Sequence, residues 1–301
     1  LPRRHEDHEE EPQKTKISFA FLRGLRVFVA TLLILISIEY ETFMSLHIET
    51  VGSGPDLVLI HGWAMHGGIF APLTPLLAEH FRVHVVDLPG HGFSRDDDAP
   101  VDVQDWVARI AALTPAPAIW VGWSMGGLVA LQAALDHPQS VRGLVEIANS
   151  PRFVTAADWP HAMAPKVLEG FETGLERDYR ATVEGFLALE LIGSPNPQSM
   201  LRDLKARVFE RGEPPLRALV DGLRVLEATD LRARLAQLAM PNLWIAGRRD
   251  RLIHAEAMRW ASQQTAHGEF VEIDSGHAPF LSHPREVADA IVEFADRVPF
   301  A

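Results

Sequence analysis

Ser124 stands in Gly122-Trp123-Ser124-Met125-Gly126, the pattern G-x-S-x-G, with an apolar run before it and helical apolar spacing after it. A turn of this kind lifts one hydroxyl out of a sheet, and its glycines are small because strand and helix approach closely there. A serine hydroxyl becomes a nucleophile only when a base takes its proton, and the base must be held in the right tautomer by an acid. Asp250 closes the strand pattern 242–246 in Gly247-Arg248-Arg249-Asp250, and His277 follows the pattern 269–273 in Asp274-Ser275-Gly276-His277. All three therefore fall at the carboxyl ends of strands. Two other acids compete with Asp250: Asp230 ends a helical stretch, and Asp274 lies too near His277 in the chain to fold back on it easily. Asp250 is the expected acid. His61 and His91, in loops near the same edge, read as hydrogen bonders that structure those loops. A tetrahedral oxyanion needs two donors, and the N–H groups of Met125 and Trp63 are the candidates, leaving the tryptophan ring free to line a pocket.

The elements that must position these groups alternate. Residues 46–51, 57–60, 83–88, 118–121, 141–147, 242–246 and 269–273 read as strands, several of them continuous apolar runs expected of strands buried on both faces. Residues 69–80, 102–113, 127–135 and 287–294 read as helices. The rhythm predicts an α/β fold, a mostly parallel sheet flanked by helices. Between 150 and 230 it stops: helical patterns at 183–191 and 200–211 follow one another, punctuated by prolines, with no strand candidate. An all-helical insertion of this kind sits above the strand ends where ligands bind. The expected division is an N-terminal extension over 1–43, a core over 44–152, a helical lid over 153–230 and the rest of the core over 231–301.

Composition narrows the function. A 301-residue chain that is 47% hydrophobic can bury a full core. Its net charge of −12 disfavours wholesale binding to nucleic acid or an anionic membrane, whose phosphates its field repels. The absence of cysteine excludes disulfides and thiolate metal sites, and no His/Cys cluster has zinc spacing. No metal or cofactor is expected. Residues 1–43 differ from the rest: Glu6, Asp7, Glu9, Glu10 and Glu11 form an acidic run, and apolar stretches at 17–22 and 27–38 are broken by Arg23 and Arg26. The longer stretch falls short of the about 20 residues that span a bilayer, and no small-residue cleavage site follows it. The first methionine, Met44, opens the regular pattern. The extension reads as dispensable to the folded enzyme, with a membrane anchor through 17–38 as the alternative.

From Met44 onward the chain resembles the α/β-hydrolase superfamily and, more narrowly, the bacterial biotin-synthesis carboxylesterases that remove the methyl group from pimeloyl-acyl-carrier protein methyl ester. The resemblance rests on Leu59-Ile60-His61-Gly62-Trp63, on the stretch from Ile119 to Ala130 around Ser124, on Phe186-Leu187-Ala188-Leu189-Glu190, and on His277-Ala278-Pro279-Phe280-Leu281-Ser282-His283-Pro284. It implies Ser124, Asp250 and His277 as a catalytic triad, in the chain order usual for that superfamily. It also implies substrate contacts from Trp63, Met125, His277 and Phe186, Leu187, Ala188, Leu189 and Glu190. The implied partner is an acyl-carrier protein bearing the substrate, with small esters as further substrates. A cytoplasmic monomer is expected, or an inner-membrane-anchored enzyme if residues 17–38 act as an anchor.

Two departures stand out. Glu190 replaces a glutamine of the better-known members, which places a negative charge near the acyl chain. Ala181, Gly185 and Gln198 occupy lid positions often basic there, with Arg180, Arg202 and Lys205 as candidates to compensate. Alternative readings are a general short-chain carboxylesterase, a carbon–carbon hydrolase or menaquinone-pathway lyase on the same scaffold, and a hydrolase-like receptor for a small ligand. A serine at the nucleophile position argues against dehalogenase and epoxide hydrolase chemistry, which uses an aspartate.

Overall fold

A computed structural model describes residues 46–97 and 101–299. The extension expected over 1–43, with its candidate membrane segment 17–38, lies outside the described residues. Among the described residues no helix is long and apolar enough to cross a membrane. The strands are β1 (Ile48–Gly52), β2 (Asp56–Ile60), β3 (Arg82–Val86), β4 (Ala118–Trp123), β5 (Val141–Ile147), β6 (Asn242–Gly247) and β7 (Gly268–Ile273). They form one sheet in the order β1-β3-β2-β4-β5-β6-β7, parallel throughout except for the antiparallel pairing of β1 with β3. Every residue of β4 and β6 is buried, so these strands carry no polar alternation.

The chain steps from β2 outward to β3 and then crosses back to β4 on the other side of β2. Strand order therefore reverses between β2 and β4, which pair directly through Leu57 with Ile119 and Ile60 with Gly122. Ligand crevices of open α/β sheets form outside the carboxyl ends of strands at such a reversal. Trp63 follows β2 and Ser124 follows β4, so the topology alone brings the two to the same crevice.

The helix expected over 69–80 is instead a 3-10 turn, Gly67–Phe70, followed by the short α1 (Thr74–Leu77). Pro72 and Pro75 explain the break, since proline in a helix interior removes a donor and clashes with the preceding turn, whereas Pro75 fits the first turn of α1. Flanking the sheet are α2 (Val103–Leu113), capped by the Asp102 carboxylate on the Gln104 N–H, and the almost wholly buried α3 (Met125–Asp136). Between β5 and β6 run α4 (Pro165–Arg177), α5 (Tyr179–Glu190), α6 (Pro197–Val208) and α7 (Leu216–Ala228), and no strand of the sheet intervenes among the described residues. Here proline opens elements rather than merely ending them: Pro165 and Pro197 are first-turn residues and Pro215 caps α7. After β6 come α8 (Ala255–Gln263), α9 (Pro279–Ser282) and α10 (Pro284–Ala295).

One buried carboxylate ties the insertion to the core. Asp87, after β3, accepts the N–H groups of Gly67 at 2.6 Å and Phe93 at 2.8 Å, and the Arg211 guanidinium at 3.1 Å. Arg211 also donates to Glu49 at 2.9 Å, and His66 Nε2 donates to the Arg207 carbonyl at 2.9 Å. Removing one partner from a buried ion pair strands the other. Asp87→Ala should lower the unfolding free energy by about 3 kcal/mol or more, read as a shifted urea midpoint at unchanged slope. A loss below about 1 kcal/mol would show that Arg211 and the two N–H groups find water instead.

Candidate active site

Ser124 joins β4 to α3 at φ 54° and ψ −123°. A side chain rarely occupies this region, and holding one there costs about 1–3 kcal/mol. The surrounding backbone compels it. A Cβ on Gly122 would lie 2.4 Å from the Gly126 carbonyl oxygen, and one on Gly126 would lie 2.3 Å from the Ile60 carbonyl oxygen at the end of β2. The Ser124 N–H donates to the Ile147 carbonyl of β5 at 3.0 Å, pinning the turn on its other side. Beneath it Glu146 and Asn149 form a buried pair at 2.6 Å, close enough to Gly127 that a Cβ there would meet both. No motif in the sequence marks this support, since Glu146 only interrupts an apolar strand.

The relay is assembled as the strand ends predict. Ser124 Oγ lies 3.0 Å from His277 Nε2, and His277 Nδ1 lies 2.8 Å from Asp250 Oδ2. The other Asp250 oxygen accepts the N–H groups of Leu252 at 2.8 Å and Ile253 at 3.0 Å. With Oδ1 fixed, Oδ2 faces the imidazole, and the proton sits on Nδ1, leaving Nε2 free to take the serine proton. The loops bearing acid and base are in backbone contact: a Cβ on Gly247 would lie 2.0 Å from the Gly276 carbonyl oxygen. The rival acids are engaged elsewhere. Asp274 pairs with Arg248 and Arg249, and Asp230 with Arg152 and Arg232.

His61 and His91 do structure loops. His61 Nε2 accepts the Leu88 N–H at 3.0 Å and Nδ1 donates to the Gly62 carbonyl at 2.8 Å, while His91 Nδ1 donates to the Pro89 carbonyl at 2.9 Å. Burial pushes both imidazoles down, to about 3 and about 4, so both are neutral.

The residues expected to supply the oxyanion donors both lie beside Ser124. Met125 is the first residue of α3, where a backbone N–H has no intrahelical partner and the helix dipole favours negative charge. Trp63 adjoins Gly62, whose Cβ would lie 3.1 Å from the Ser124 Cβ. Helix α7 covers the pair. Trp63 Nε1 donates to the Leu219 carbonyl at 2.8 Å, and a Cβ on Gly222 would lie 2.8 Å from Trp63 Cδ1 and 3.4 Å from Met125 Sδ. Phe186 meets the Trp63 ring edge-to-face at 4.8 Å, and Phe171 completes the apolar wall at 6.0 Å.

Helical geometry sorts the segment 186–190. Phe186 and Glu190, four apart, share the face toward Trp63 and His277, while Leu187 packs in the interior and Ala188 is exposed. Leu189 is half-buried. Glu190 differs from expectation: it is 1% exposed, and burial together with the nearby Asp250 raises its carboxyl well above the usual range. Burial and the Asp250 charge thus both disfavour the ionised form that the sequence alone suggests at this position.

A strained serine turn and a Ser-His-Asp relay on a sheet of this topology define a serine hydrolase. The chain belongs to the alpha/beta hydrolase fold family, whose model matches residues 55–284. It is similar to the pimeloyl-[acyl-carrier protein] methyl ester esterase of Xanthomonas oryzae pv. oryzae (strain MAFF 311018), 53% identical over 255 residues that cover 84% of this chain and 100% of that protein. The enzyme of the same name from Stenotrophomonas maltophilia (strain R551-3) is 54% identical over 250 residues, covering 83% of this chain and 96% of that one. Among solved structures, the esterase of Exiguobacterium antarcticum superposes with a TM-score of 0.76 at 22% identity, over 83% of this chain and 95% of that one. The enol-lactonase of Burkholderia xenovorans LB400 does so with a TM-score of 0.73 at 21% identity, over 84% and 96%. At such identities these structures establish the fold alone.

Two outcomes test the geometry. Asp250→Asn keeps the shape of the acid but favours the wrong imidazole tautomer, and should lower kcat on a p-nitrophenyl ester by roughly ten-thousand-fold; a variant within tenfold of wild type would remove Asp250 from the relay. Gly222→Ala should force α7 off Trp63, costing about 1–3 kcal/mol of stability and lowering kcat through displaced oxyanion donors. An unchanged melting curve and kcat would show that α7 does not hold them.

Proposed function

We propose that this enzyme hydrolyses the methyl ester of pimeloyl-acyl-carrier protein in biotin synthesis, through an acyl-enzyme on Ser124. The observation that carries the reading is the 53% identity, across their whole length, to relatives bearing that activity in their name. The site supplies the steps. His277 Nε2 takes the Ser124 proton as Oγ attacks the ester carbonyl, and the imidazolium is held by Asp250. The N–H groups of Trp63 and Met125 receive the oxyanion. Collapse expels methoxide, which takes the proton from His277 and leaves as methanol. Water then gives a proton to His277 and attacks the acyl-enzyme, and collapse returns the proton to Ser124 and frees the carboxylic acid. The Trp63, Phe171 and Phe186 rings offer an apolar wall to the methylene chain.

Ser124 is only 4% exposed, so the acyl arm reaches it between lid and core when these part. An acidic carrier docking on the lid would meet Arg180, Arg202 and Lys205. Arg180 pairs with Glu213 and lies over the Phe209 ring, and Lys205 pairs with Glu184. Such exposed pairs contribute about 0–1 kcal/mol, so an acidic partner exchanges them at little cost. Arg202 is exposed on the same helix as Lys205.

Expression in a biotin-requiring bacterial strain lacking its methyl esterase should restore growth without biotin, and Ser124→Ala should not. An enzyme that cleaves short p-nitrophenyl esters yet fails to restore growth would be a general carboxylesterase, and the carrier-bound substrate would fall.

A further inference from the structure

The side chain of Glu190 has no part in the steps above, yet its surroundings are specific. It ends α5, and the last carbonyls of a helix lack intrahelical partners. The Glu190 carbonyl accepts the backbone N–H of His277 at 3.1 Å. This contact is one of close backbone packing: a Cβ on Gly276 would lie 2.5 Å from the Ile192 carbonyl oxygen, 3.0 Å from Ser194 Oγ and 3.1 Å from the Glu190 carbonyl oxygen. On its other side the His277 carbonyl accepts Trp123 Nε1–H at 2.9 Å. The backbone of the base is thus gripped between the residue preceding the nucleophile and the end of a lid helix.

The Glu190 side chain is buried as well. One of its oxygens, Oε2, is buried without a hydrogen-bond partner, as is the Ser194 hydroxyl. Asp250 is the charge that acts on it, and both Asp250 oxygens are occupied, by Leu252, Ile253 and His277. Arg249, beside Gly193 on the acid loop, is turned to Asp274, its Nε 2.9 Å from Oδ1. Among the described residues the charge that acts on position 190 is that of Asp250, and ionisation would put a second negative charge near it. Burial and Asp250 together hold the acid protonated far above its ordinary range. An ionised carboxylate there regains water by withdrawal of the end of α5, the element whose carbonyl meets His277.

We propose that Glu190 is a positioning residue for the base: its carbonyl anchors the loop that carries His277, and its side chain keeps that carbonyl in place only while it is uncharged. The inference rests on the Ser124–His277–Asp250 reading but not on the identity of the ester. Two consequences separate it from simple packing. The wild-type enzyme has a reversible alkaline limb that belongs to Glu190, and a neutral isostere abolishes that limb.

The test follows labelling of Ser124 by a fluorophosphonate, and kcat and KM on a p-nitrophenyl ester, between about pH 6 and about pH 10, the range that brackets documented buried glutamates. Wild type, Glu190→Gln and Glu190→Met are compared, with circular dichroism at each pH. Each rate is normalised to that variant's own value near pH 7. In the wild type, labelling rate and kcat should fall by about tenfold per pH unit beyond the midpoint, recover on return to neutral pH, and do so with helical content retained. Both variants should change by less than about twofold over the same span. Superimposable alkaline limbs in wild type and Glu190→Gln, or a wild type flat to the top of the range, would overturn the proposal. Glu190→Met decides in the same way should Glu190→Gln fail to fold. Wild type that is folded but unlabelled at every pH would overturn the triad reading instead, a result distinct from either.

Discussion

The site depends on a backbone conformation that Ser124 would not choose. A φ of 54° persists only where the surroundings allow no other, and here three turns crowd together until only glycine fits between them. The β2 carbonyls press on Gly126, Gly126 presses on Gly122, and Gly62 lies against Ser124 itself. The same packing that strains the serine sets Gly62, and with it Trp63, against the turn that Met125 follows. The strained serine and its neighbours after β2 are therefore consequences of one constraint, imposed at the reversal of strand order between β2 and β4.

Burial governs the electrostatics. Asp250 is surrounded by protein, where an unpaired carboxylate would be costly, and it is stabilised by two backbone N–H groups and the imidazole. No comparable set of donors serves Glu146 or Glu190 among the described residues, and burial raises both carboxyls well above their usual range. Three buried acids near one serine thus differ in the donors each receives, and the one with the fullest set is aligned with His277, a separation set by environment rather than by residue type.

Much of this was legible in the chain because it is encoded in short segments. The triad, the strand ends that bear it and the helical insertion follow from apolar runs, glycine-flanked turns and the loss of alternation after Ser150. Local signals failed where a second element decides the outcome. Residues 69–80 have helical apolar spacing, but Pro72 breaks the hydrogen-bond ladder and the segment becomes a turn and a single helical turn. Glu190 reads as a possible charge in the sequence, and only its burial near Asp250, which raises its carboxyl well above the usual range, shows otherwise. Asp87 gave no sign of its importance, since the guanidinium it meets lies 124 residues away. The Glu146–Asn149 pair was hidden for a related reason: its significance lies in touching Gly127, not in any spacing along β5.

The lid acts on the site mainly through main-chain atoms and ring faces. The Leu219 carbonyl fixes the Trp63 ring, the missing side chain of Gly222 lets α7 settle onto Trp63 and Met125, and the Glu190 carbonyl holds His277. Each contact reaches a different member of the machinery: the oxyanion donors through α7 and the base through α5. Ser124 is 4% exposed beneath these elements, so bulk water is held off and the electrostatic interactions of the relay act in a low dielectric. The rings of Trp63, Phe171 and Phe186 pack as an apolar wall beside it, and an alkyl chain laid along that wall buries more apolar area than an acetyl group does.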